Sequence, residues 1–179
     1  MAIPFHDLTV ASFLRTLDAT SAVLEKASAH CVHNGMDREA IVEASLHPTM
    51  KPLRYQIRSV AHHSIGAIDG LRRGTFSPPV PAPSYSFAQL QAMMVETREQ
   101  LTQVTPDEAE RLATGEVEFV AGERRARFTA QDFVLSFSLP NFYFHATTAY
   151  DILRHNGVPL EKRDYLGNVI AKHAPQAPA

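Results

Sequence analysis

Apolar positions recur along this chain at intervals of three and four residues, which is the spacing of one buried face on an α-helix. In the first such stretch Val10, Phe13, Leu14, Leu17, Leu24, Ala27 and Cys31 keep that spacing until Asn34-Gly35 stops it, and Asp7 stands where a helix cap is expected. A short helical piece follows from Asp37 through Ala44, and Pro48 and Pro52 bracket a turn. Leu53, Ile57, Val60, Ser64, Ile68 and Leu71 then form the stripe of a second long helix, which the pattern carries without a break to about Arg73. Pro78, Pro79, Pro81 and Pro83 cannot lie in a helix and predict an extended connection over 74–84.

The signals resume at Ser86, with Gln89 three residues later as a capping box, and Leu90, Met93, Met94, Thr97, Leu101 and Val104 supply a third helical face. Thr105-Pro106-Asp107-Glu108 starts a short helix through Leu112, which Gly115 closes. Alternation then replaces helical spacing. Val117 to Val120 and Arg125 to Phe128 flank Ala121-Gly122-Glu123 and predict a β-hairpin decorating an α protein. Thr129 caps the next helical stretch, Pro140 bends or restarts it, and Gly157 with Pro159 ends it, so the fourth long helix is expected over about 140–156. These elements predict an all-α four-helix bundle with short extra helices and a small β-hairpin between the third and fourth helices. Residues 1–170 are expected to form one domain and 171–179, with two prolines and little that could pack, a frayed tail.

Composition narrows the functional classes. The 179 residues are 45% hydrophobic and 20% charged, enough to bury an ordinary core. Seventeen basic and nineteen acidic residues leave a net charge of −2, without the field that draws a protein onto nucleic acid or anionic lipid. The single cysteine, Cys31, cannot make an internal disulfide, and neither an apolar leader nor a run of roughly 18 apolar residues is visible, so a cytoplasmic protein with no membrane contact is expected.

Histidine is the residue type that could carry chemistry. On the fourth helix His145 falls roughly 40° from the centre of the face made by Phe142, Ala146, Ala149, Ile152 and Leu153, and so points into the bundle. His63 lies roughly 100° from the centre of the second helix's stripe, within reach of a groove between helices, whereas His62 lies nearly opposite the stripe and is expected to face solvent. An inward imidazole needs a partner for each nitrogen, which a metal, a water or a neighbouring side chain can provide. His30 and His33, three apart at the end of a helix, read as surface histidines. Cys31 reads as a small buried hydrophobe, and Arg124, Arg125 and Arg127 as exposed hairpin charges. Phosphate-cradling glycine loops, nucleophile elbows and close Cys/His clusters are absent from the sequence.

The stretch LPNFYFHATTAYDILRHNGVPL at 139–160, followed by KRDYLG at 162–167, resembles the C-terminal signature of a bacterial family called domain of unknown function 1993. Phe13-Leu14-Arg15-Thr16-Leu17 and the helix around His63 are similar to the same family. The resemblance spans nearly the whole chain and implies a DinB/YfiT-like four-helix bundle. In better-understood bundles of that type three histidines hold a divalent metal, one from the second helix and two, four residues apart, from the fourth. Some are thiol-dependent transferases or isomerases, and many pair as dimers. Carried over, the resemblance places His63 at the second-helix position and His145 at the second fourth-helix position, while Asn141 occupies the first. Asparagine is a weak neutral ligand, so two imidazoles and an amide imply a divalent-metal site, for zinc, nickel or a similar ion, of lowered affinity. The resemblance thus implies a DinB-like homodimer and a metal-dependent enzyme with a weak or degraded metal site in the bundle cleft. Its alternative is a non-catalytic small-ligand binding or interaction module that has lost the metal.

Overall fold

The structure, a computed structural model, describes residues 3–80 and 84–169; the expected tail at 171–179 lies outside the described residues. Helix α1 (Ser12–His33) continues from a π-helical turn over Asp7–Ala11, and the short α2 (Arg38–Val42) follows with Asp37 capping it through Glu39 N. Then come α3 (Leu53–His62), α4 (Ile65–Arg73), β1 (Thr75–Phe76) and α5 (Phe87–Thr102), and after them α6 (Pro106–Leu112), β2 (Glu116–Ala121) and β3 (Arg124–Thr129). The short α7 (Ala130–Phe133) runs through a π-helical segment, Val134–Ser138, into α8 (Leu139–His155), and α9 (Lys162–Leu166) closes the described chain.

Four long elements form the bundle. Helix α1 packs on α5 and α8, and α3 packs on the same two from the opposite corner, so the core lies between these two diagonals. Phe13, Leu17, Leu24, Leu53, Ile57, Leu90, Met94, Phe142 and Ile152 are buried there, and the Phe13 and Phe142 rings meet edge to face at 5.0 Å. The stripes read from the sequence are the buried faces. The capping box of Ser86 with Gln89 and the caps at Thr105 and Thr129 also form as the pattern predicts.

Three local expectations are corrected. Asp7 does not cap the first helix: it sits inside the π turn, and the helical backbone begins before it, with Phe5 N and His6 N donating to the Glu110 carboxylate instead. The second long helix is broken at His63–Ser64 into α3 and α4. Ser64 Oγ donates to Val60 O at 2.7 Å, competing with the helical ladder, and Ser138 Oγ donates to the His63 carbonyl at 2.7 Å, so the break leaves that acceptor satisfied. The connection after Gly74 begins as a strand, β1, which pairs parallel with β2 in the register Thr75 with Glu118 and Phe76 with Phe119. The expected hairpin, β2 with β3, is therefore part of a three-stranded sheet in the order β1-β2-β3.

Pro140 stands in the first turn of α8, where the sequence expects the helical run to bend or restart; a proline has no N–H for the carbonyl four residues back, and the five-residue π segment just before it absorbs the mismatch. Both irregularities face one another, which sets the surroundings of His63. The sheet is more than decoration, because Phe76, Phe119 and Phe128 pack against Phe133 and Phe137 of the run leading into α8, at ring separations from 5.1 to 6.2 Å among the contacting pairs. No helix among the described residues is long and apolar enough to cross a membrane.

Candidate histidine cavity

His63 ends α3 at the helix break, and His145 sits near the middle of α8. The pairing of α3 with α8 brings the two rings to 5.7 Å between centroids with planes 17° apart. Both line one cavity of about 140 Å³, together with Asn141, one helical turn before His145. Tyr55, Phe76, Phe119 and Phe137 give it aromatic walls, so the sheet and the π segment close the space that the two helices leave open.

The hydrogen bonds fix what each donor atom can do. Gln56 Nε2 donates to Lys51 O at 2.8 Å, which leaves Gln56 Oε1 as the acceptor facing His145 Nδ1 at 2.7 Å. His145 therefore carries its proton on Nδ1, and Nε2 keeps a free lone pair. Asn141 Nδ2 donates to Phe137 O at 2.8 Å, so its amide oxygen is the free end. His63 Nδ1 is the one buried side-chain nitrogen or oxygen without a hydrogen-bond partner among the described residues. An orphan of that kind costs about 1–3 kcal/mol unless something meets it.

Both imidazoles are neutral at physiological pH. Burial, then the charges that His62 and His145 would carry, pushes His63 from 6.5 down to about 3. Burial and His62 bring His145 down to about 4. Neutral imidazole is the form that ligates a metal, so no proton has to be displaced first.

The cavity thus brings together all three residues singled out from the sequence. His62 departs from expectation: it is half-buried against the Phe76 ring at 4.5 Å with Nε2 bonded to Ser77 O at 2.9 Å, because β1 folds back over the face that the helical wheel leaves to solvent. Gln56 and Ser138 were missed. Gln56 stands seven residues, two helical turns, before His63, and that spacing was the available signal. Ser138 had none, since its role depends on the break in the second helix.

Two neutral imidazoles and one amide oxygen fit a divalent metal in donor type. Rings sharing a zinc ion through bonds of about 2.0–2.1 Å stand roughly 5–6 Å apart, a spacing these two already have. In donor number the set is thin: no group of three or more His, Cys, Asp or Glu side chains that could hold a metal occurs among the described residues.

The bundle, its sheet-covered end and the histidines facing one another across two helices define a DinB-like helical protein. The chain belongs to the family described as Domain of unknown function (DUF1993), whose model matches residues 5–166. It is similar to the crystal structure of a DinB family member protein from Shewanella denitrificans, with a TM-score of 0.77 and 26% identity over 94% of this chain and 95% of that one. No curated protein matches the chain.

Proposed function

We propose that the cavity between α3 and α8 is a divalent-metal site of lowered affinity, with His63 Nδ1, His145 Nε2 and the Asn141 amide oxygen as its donors. The observation that carries this reading is the partnerless, buried Nδ1 of neutral His63 beside a His145 whose tautomer Gln56 holds. A metal bound there would supply Lewis-acid activation of a water or thiol at a position left open by three protein donors. The chain's own part is to keep both rings neutral, to aim His145 through Gln56, to pin the His63 backbone through Ser138, and to wall the site with the aromatic rings of Tyr55, Phe76, Phe119 and Phe137.

Protein incubated with zinc or nickel and freed of excess is expected to retain metal, and His145→Ala to retain much less. Equal amounts in the two would contradict the reading. Asn141→His is expected to raise affinity, since it replaces an amide by an imidazole.

Asn141 also favours a second reading, a non-catalytic module that has lost its metal and holds a small molecule against the cavity's aromatic walls. Under that reading only Asn141→His, and not the unaltered protein, would retain metal. In either case we expect a homodimer that covers exposed apolar side chains such as Phe144, which is 58% exposed on α8 next to His145.

A further inference from the structure

A second, larger hollow lies on the other side of His62 and Phe76. It is an open groove of about 490 Å³ between α3, α4 and the segment after β1, within the range of small-molecule sites. His62, Phe76, Pro78 and Pro79 line both hollows and form the partition between them. Among the described residues no carboxylate lines the groove, whereas Arg58 and Arg73 both do. Neither makes an ion pair among the described residues, although Arg54, Arg72, Arg98, Arg125, Arg127 and Arg163 are each held by an acid.

Most of the remaining lining is apolar, with Thr75 and Ser77 as its small polar side chains. Ile65, Met93 and Val80 supply the aliphatic surface. Gly66 keeps the floor low, since a Cβ there would stand 3.3 Å from His62 Nδ1. Arg58 is tethered to the Val80 carbonyl, which leaves Arg73, exposed in the last turn of α4, as the cation free to close on a ligand. Two guanidiniums beside an aliphatic wall, with no acid to neutralise them, match one kind of molecule.

We infer that this groove binds a small amphipathic anion, its carboxylate or phosphate head on Arg73 and Arg58 and its apolar body along Ile65, Met93 and Val80. The inference stands without the metal reading, because none of the three proposed metal donors contacts the groove's anion end.

Calorimetric titration of metal-stripped protein with octanoate, octyl phosphate and octanol tests it. Either anion should bind more tightly than octanol, and the tighter of the two names the head group. Arg73→Gln should weaken the anion about tenfold or more and leave octanol unchanged, as loss of a charge-assisted contact does. Arg73→Lys should keep most of the affinity, and His145→Ala all of it, which separates this site from the metal site. Octanol binding as tightly as both anions, neither anion binding, or anion affinity unmoved by Arg73→Gln would each overturn the proposal.

Discussion

Gln56 shows how a neutral, buried side chain can decide the chemistry of a neighbour. With its amide nitrogen on Lys51 O, its oxygen can only accept, and His145 must present Nε2 to the cavity. Gln56→Leu is expected to free the ring and lower metal retention several-fold with both imidazoles still present; retention equal to wild type would show that Gln56 has no positioning role. The depressed imidazoles also set a pH dependence in metal-free protein. A folded-state pKa of about 3 or 4 against an ordinary 6.5 means that between those values the unfolded chain binds protons that the fold refuses. Stability therefore falls as pH drops below 6.5, by up to about 1.4 kcal/mol per pH unit for each group. Thermal melts at pH 7 and pH 5 should show the loss, and His63→Gln should shrink it. An identical pH slope in that variant would contradict the assignment.

Elements whose physics is local were legible in the sequence. The stripes of α1, α5 and α8, the capping box at Ser86 and the hairpin around Gly122 all rest on neighbours within a few residues. The break at Ser64 was not legible, because Ser64 and Ile68 continue the apolar spacing of Leu53, Ile57 and Val60, and the carbonyl freed at His63 is taken by Ser138, 75 residues away. Strand β1 was hidden for the same reason: two residues carry no period, and its pairing partner comes 43 positions later. Its fit depends on Gly70, where a Cβ would come within 2.9 Å of Phe76. Of the C-terminal motif, Leu160 is buried and Tyr165 packs on Tyr150 at 6.0 Å, with Asp164 on Lys26 at 2.5 Å, while Leu166 stays 44% exposed. Leu160→Ala should cost about 2–5 kcal/mol, a drop of roughly 4–20 °C in Tm for a chain of this size. A melting temperature equal to wild type would mean that the motif serves a ligand or partner rather than the fold.

The whole molecule combines a neutral, aromatic-walled cavity with a cationic groove, separated by His62 and Phe76. Light scattering at micromolar concentration is expected to return about 40 kDa, twice the 19.8 kDa of the chain, and Phe144→Glu to shift it toward the single-chain mass; a wild-type value of about 20 kDa would reject the dimer. The central claim is that His63 and His145 share one occupant. Long-range proton–nitrogen NMR spectra of the imidazole rings, recorded while zinc is added to metal-free protein, test it directly. His63 Nδ1 and His145 Nε2 should move together at the same zinc concentration, with His145 Nδ1 still protonated. Shifts confined to exposed histidines such as His33, with these two nitrogens unmoved, would contradict it.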